Sequence, residues 1–149
     1  MQSFLTKILV THAGLEALAL RLPIGVILAA HGSQKLFGWF GGYGLEGTGQ
    51  FMATLGLQPG FLMALLAGSA EFFGGIFIIL GLCTRLAAAS SALTLLVALF
   101  VAHWGKGFFL TTHGIEYALA LVSATTALAI MGGGSYSLDR HLLGFISRS

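Results

Sequence analysis

A histidine at position 31, a lysine at 35 and a glutamate at 71 interrupt stretches that are otherwise almost wholly apolar. An imidazole and a carboxylate can exchange protons with a bound ligand, so His31 and Glu71 are the candidate catalytic pair. Lys35 follows His31 by one helical turn and shares its face. Its long stem lets the ammonium either reach outward to a polar boundary or bend back to Glu71. Further along, His113 precedes Glu116 and Tyr117 by three and four residues, and His103 and Lys106 close the preceding apolar stretch. His31, Lys35, Glu71, His103, His113 and Glu116 are thus expected to converge on one outward-opening polar cavity. Lys35, His103, His113, Glu116 and Tyr117 would serve as substrate-binding groups there. The competing reading is structural: a buried His31–Glu71 pair would only fix how two helices register. Histidine and glutamate also suit transition metals, but no HxxxH or HExxH spacing is present, so no metal site is assigned.

These groups need elements to hold them, and composition says which. Of 149 residues, 56% are hydrophobic and 8% charged, against about 25% charged in soluble domains. Seven basic and five acidic side chains cannot clothe a soluble protein of this size. Glycine is abundant, at 22, and proline scarce, at two, which suits close-packed membrane helices. A net charge of +2 is too small a basic excess for nucleic acid. Cys83 is the only cysteine, which excludes an intramolecular disulfide and a CxxC redox pair and leaves it a small packing residue. No cleaved signal peptide is read at the N-terminus.

A bilayer core of about 30 Å takes roughly 20 apolar residues in a helix. Four stretches fit, at about 18–37, 60–82, 86–104 and 114–131, so the expected fold is an all-α integral membrane four-helix bundle forming a single domain over 1–149. The short turn Cys83-Thr84-Arg85 makes the second and third spans antiparallel neighbours. The connection from Gly38 to Pro59 is longer, rich in glycine, and carries Trp39, Phe40 and Tyr43, which read as interfacial anchors together with Trp104. Its Gly41-Gly42-Tyr43-Gly44 follows no strand and is not a phosphate loop. Gly68, Gly74, Gly75 and Gly81 on the second span, and Ala120, Ala124 and Ala127 on the fourth, would allow close helix approach. Met1, Phe4, Leu5, Ile8 and Leu9 form one short amphipathic stripe at the start of the chain. Leu138, Leu142, Leu143 and Ile146 form another, which Ser137 could cap, and both would lie flat on the membrane.

With an even number of spans, Lys7, Arg21, Arg85, Arg140 and Arg148 share one side and Lys35 and Lys106 the other. That asymmetry makes both termini cytoplasmic. His31 lies ten residues beyond Arg21, and Glu71 twelve beyond Pro59. These spacings put the two groups about 15 and 18 Å deep from opposite faces, close to one level.

On these residues the chain resembles the DoxX family of small four-helix membrane proteins. The resemblance is carried by His31-Gly32-Ser33-Gln34-Lys35-Leu36, by Glu71-Phe72-Phe73-Gly74-Gly75 running on to Gly81, and by Thr84-Arg85-Leu86-Ala87. His103-Trp104-Gly105-Lys106-Gly107-Phe108 and Gly114-Ile115-Glu116-Tyr117 complete it, over about 20–142. The resemblance implies an inner-membrane, multi-pass protein similar to the membrane subunit of a thiosulfate:quinone oxidoreductase, in a family also associated with oxidative-stress defence. It implies a quinone as the cofactor to test and a partner redox subunit, since no cofactor-binding motif lies in this chain. Membrane lipid and further copies of the chain are the other expected partners. Two functions fit: a quinone-linked redox subunit, or a non-enzymatic transporter, lipid-binding or assembly module using the same cavity.

Overall fold

The computed structural model describes residues 2–11 and 13–146. Met1 and Arg148, used above, lie outside the described residues, as do the side chains of Phe4 and Leu5. Among the described residues seven α-helices follow in order: α1 (Gln2–Leu9), α2 (Leu15–Phe37), α3 (Gly44–Thr54), α4 (Gly60–Leu80), α5 (Thr84–Ala98), α6 (Glu116–Met131) and α7 (Leu138–Ile146). No strand occurs among the described residues. α5 runs on through a π-turn, Leu99–His103, so its apolar stretch extends over Thr84–His103.

Three helices are long and apolar enough to cross a membrane: Leu15–Phe37, Gly60–Leu80 and Thr84–His103. α6, the fourth expected span, is shorter, at 16 residues, or about 24 Å. Leu22, Val26, Phe73 and Ile130 on these helices are exposed, as side chains facing hydrocarbon must be. A small core of Leu28, Ile78, Ala88, Leu95, Leu121 and Leu128 fills the centre.

Glycine sets how closely α2 and α4 pack. A Cβ at Gly75 would stand 2.5 Å from the Ala29 amide nitrogen and 2.6 Å from the Gly25 carbonyl oxygen, so the two backbones touch without side chains between them. Gly32 likewise lies directly against the Phe72 backbone. Between helices in lipid there is no hydrophobic drive, and this contact area is what holds them. On α6 the buried stripe is Ala118, Leu121, Thr125 and Leu128, which corrects the expected one: Ala120 is exposed and Ala124 and Ala127 only half-buried. The bulkier leucines win that face because they reach into the core beside Leu95.

The connection from Gly38 to Pro59 is also corrected, since it contains α3. Its sequence includes Gly44, Gly47 and Gly49, each unfavourable in a helix by about 1 kcal/mol against alanine. Packing offsets that cost, because a Cβ at Gly49 would sit 3.0 Å from the Phe61 Cα and glycine lets α3 lie on α4.

The end of the bundle opposite α3 is closed by charge. Arg21, 2% exposed, sits inside α2 and donates to the carbonyls of Gly133, Tyr136 (3.0 Å) and Ile79 (3.3 Å). Asp139, at 1% exposure, accepts from the Cys83 amide at 2.6 Å and the Thr84 amide at 2.9 Å. It thus supplies α5 with an N-cap from another helix, and its negative charge suits the helix's positive end. Arg85 donates to the carbonyls of Val10 (3.0 Å), Ala129 (3.0 Å) and Ile130 at the end of α6. Ser137 caps α7 as expected, its Oγ accepting from the Arg140 amide at 3.3 Å. α1 packs against α7 and α5 at this same end. In the sequence Arg21 reads only as a boundary charge at the cytoplasmic edge, and Asp139 has no assigned role. The available signal was an arginine set inside an apolar run and an aspartate in the first turn of a short amphipathic helix.

Candidate functional site

Glu71 sits midway along α4, and its side chain is 4% exposed. Its carboxylate pairs with the Lys35 ammonium, the one ion pair among the described residues. The expected His31–Glu71 pair gives way to this one. Lys35 lies in the last turn of α2, and Gly68 lies against Leu36 and Lys35: a Cβ there would be 3.3 Å from the Lys35 Cβ. The glycine therefore brings the start of the lysine stem onto α4, from which the ammonium reaches the carboxylate. Ser91 Oγ on α5 donates to the carbonyl of Ala70 at 3.1 Å, which ties the third wall to the same level.

α3, α4 and α5 enclose a cavity of about 610 Å³ next to the pair. Its lining is largely apolar, with Phe51 and Met52 from α3, Met63 and Leu66 from α4, and Leu93 and Val97 from α5. Lys35 and Glu71 are the charged residues in it, Thr48, Ser90 and Thr94 add hydroxyls, and His103 lines it as well. Ser91 and His103 are twelve residues apart on the α5 stretch, or about 18 Å. The ion pair therefore marks one end of the cavity and the histidine the other.

The remaining candidates lie elsewhere. His31 is exposed, and its Nε2 is 3.5 Å from Tyr117 Oη, with ring centroids 6.1 Å apart. Neither residue lines the cavity, although both lie within electrostatic reach of Glu71. Glu116 accepts from the Leu110 amide and so fastens the 104–115 loop. His113 is exposed and contributes its carbonyl, which faces His103 Nδ1 at 2.8 Å. One cavity thus gathers Lys35, Glu71 and His103, while His31, Tyr117, His113 and Glu116 stand outside it. It is also more apolar than the run of ionisable residues suggested, because α3 contributes a wall. Among the described residues no three His, Cys, Asp or Glu side chains come together to hold a metal.

Comparison with known proteins agrees with this architecture. Residues 17–104 match the family model described as DoxX. The chain is 35% identical over 122 residues to "Putative oxidoreductase CatD" of Bacillus subtilis (strain 168), covering 82% of this chain and 83% of that one. It is 34% identical over 122 residues to "Inner membrane protein YqjF" of Escherichia coli (strain K12), covering 80% and 92%. A second protein of that organism, "Inner membrane protein YphA", is 34% identical over 126 residues, covering 81% and 86%. No solved structure matches the chain.

Proposed function

This chain belongs to the DoxX family of membrane proteins, and we propose that its cavity binds a quinone as part of a redox subunit of the inner membrane. The single observation that carries this reading is a cavity of about 610 Å³ with apolar walls and the Lys35–Glu71 pair at one end. A quinone needs that combination: apolar surface for ring and tail, a donor for a ring oxygen, and a group that exchanges protons. Bound there, it would supply two-electron, two-proton chemistry. Lys35 donates a hydrogen bond to a ring oxygen and holds the ring in place. Glu71 carries the proton, and the apolar walls of α3 and α5 keep bulk water away. Two relatives whose names place them in the inner membrane support the location, and one named as an oxidoreductase supports the chemistry. Electrons enter from a partner subunit, since the chain carries no redox motif of its own.

Within this reading α6 is the fourth span, and both termini are cytoplasmic. With Arg21 buried and Lys35 paired, the remaining asymmetry is Lys7, Arg85, Arg140 and Arg148 against Lys106. In intact spheroplasts a membrane-impermeant maleimide should label a Lys106→Cys variant made in a Cys83→Ser background, and should leave native Cys83 unlabelled. After permeabilisation Cys83 becomes accessible but reacts more slowly than glutathione at neutral pH. Burial, and then the Asp139 carboxylate, push its thiol up, so the reactive thiolate is scarce and the rate climbs as pH rises. Labelling of Cys83 from outside would reverse the topology.

The binding test uses purified protein in lipid nanodiscs titrated with a short-chain ubiquinone. Saturable binding that weakens at least about tenfold in Lys35→Met, the scale of one charge-assisted hydrogen bond, is expected. Non-saturable partitioning, equal in wild type and variant, would overturn the proposal.

A further inference from the structure

His103 occupies an unusual backbone setting. The α-helical part of α5 ends at Ala98, and a π-turn carries the chain through Leu99–His103 before Trp104 turns extended. Such turns recur at functional sites, where they re-aim a side chain. Here the turn places His103 at the end of the cavity away from the ion pair, with its Nδ1 2.8 Å from the carbonyl oxygen of His113.

That carbonyl is firmly held. His113 is left-handed, at φ 59°, and its amide donates to Leu110 O at 2.8 Å. The next two residues are pinned as well, the Gly114 amide donating to Phe109 O at 2.9 Å and the Ile115 amide to Gly107 O at 3.1 Å. A carbonyl oxygen only accepts hydrogen bonds, so the hydrogen in this contact belongs to Nδ1. The other nitrogen, Nε2, is then the lone-pair atom of the neutral ring. His113 thus acts through its backbone, as the group that sets the tautomer of His103.

We infer that His103 Nε2 is a hydrogen-bond acceptor reserved for a hydroxyl group on the cavity's ligand, so that this end of the cavity selects a hydroxylated, reduced ring. The inference rests on the reading of the cavity as a quinone site and deepens it. A quinone carbonyl cannot donate and gains nothing from Nε2, whereas a hydroquinone hydroxyl can. The two ends then differ in chemistry: the Lys35 ammonium offers donors to a ring oxygen, and His103 offers an acceptor to a ring hydroxyl. A ring in its oxidised form is favoured at the first end and in its reduced form at the second. His103 touches the ligand in this account, and the His113 carbonyl is a positioning group.

Two measurements test it. The first compares binding of a short-chain hydroquinone, kept reduced, and its dimethyl ether to protein in nanodiscs. Wild type should prefer the hydroquinone by several-fold to about tenfold, the range of one hydrogen bond. His103→Asn keeps an N–H for the His113 carbonyl, but its side chain ends at the δ position and puts no acceptor where Nε2 stood, so the preference should shrink toward unity. If wild type binds both probes saturably and His103→Asn leaves the preference unchanged, this inference falls while the quinone-site reading stands. If wild type binds neither, both fall. The second measurement needs no variant to fold: the ¹⁵N spectrum of His103 in histidine-labelled wild type should show a protonated Nδ1 and an unprotonated Nε2. The opposite tautomer, which leaves no acceptor free, overturns the inference.

Discussion

Lys35→Met should destabilise the protein by about 3 kcal/mol, while Glu71→Gln should cost about 1–2 kcal/mol, although the two residues form one ion pair. The asymmetry follows from burial: the lysine side chain is 25% exposed and the glutamate side chain 4%. Removing the lysine strands a buried carboxylate without its counter-charge. Breaking a buried pair in this way costs about 3–5 kcal/mol, and the partial exposure of the lysine head places the loss at the lower end. Removing the carboxylate's charge leaves an ammonium on a long flexible stem that can swing toward solvent. The double variant Lys35→Met/Glu71→Leu should regain most of the lost stability, because two apolar side chains need no partner. Quinone binding should weaken at least about tenfold in the two variants that lack Lys35. Unfolding in mixed micelles reads the stabilities and titration in nanodiscs reads the binding. A double variant that recovers stability and also binds like wild type would reduce the pair to a packing device. A Glu71→Gln loss larger than that of Lys35→Met would show that the carboxylate holds a partner besides the lysine.

Arg21→Leu should be the more damaging change at the opposite end, by about 4 kcal/mol. Its guanidinium serves the carbonyls of Ile79, Gly133 and Tyr136, which belong to the end of α4 and to the segment joining α6 to α7. Hydrogen bonds from a charged donor contribute about 1.5–3 kcal/mol each, and the carbonyls left behind would lie buried without partners. The Asp139 carboxylate would also lose the nearby positive charge of Arg21. Arg21→Lys keeps the charge, but a single ammonium lacks the planar fork that reaches several carbonyls at once, so it should recover less than half of the loss. Limited proteolysis should then cut between α6 and α7 in Arg21→Leu and only weakly in Arg21→Lys. A Leu variant within about 1 kcal/mol of wild type would mean that water replaces the guanidinium at this end.

The three long apolar helices were legible in the sequence because their signal is local: an apolar run has a length, and a bilayer has a thickness. Glu71 was legible for the same reason, as a carboxylate where hydrocarbon should be. Which base it meets was not. His31 and Lys35 share a helical face one turn apart, and periodicity cannot say which reaches α4. That depends on where α2 docks along α4, which Gly25, Gly32 and Gly75 settle through backbone contact and Gly68 through the Leu36 and Lys35 side chains. α3 was hidden because its glycines argue against a helix, and only its seat on Gly60 and Phe61 makes it one. With α3 missing, the wall built from Phe51 and Met52 was missing too, and the cavity read as polar. Arg21 and Asp139 stand at opposite ends of the chain, and only the fold brings them to one level. The role of His103 hung on a π-turn and on a backbone carbonyl ten residues away, neither of which has a side-chain pattern to read.

The claim that α3, α4 and α5 enclose a quinone site is tested most directly by where a quinone attaches. A photoreactive short-chain quinone, activated on wild-type protein in nanodiscs and mapped by mass spectrometry, should modify the cavity-lining segments around Phe51–Leu57, Met63–Glu71 and Thr94–His103. Excess unlabelled quinone should suppress that labelling. Modification confined to the exposed side chains at Leu22, Val26 and Ile130, undiminished by the competitor, would place the quinone in the surrounding lipid and contradict the account.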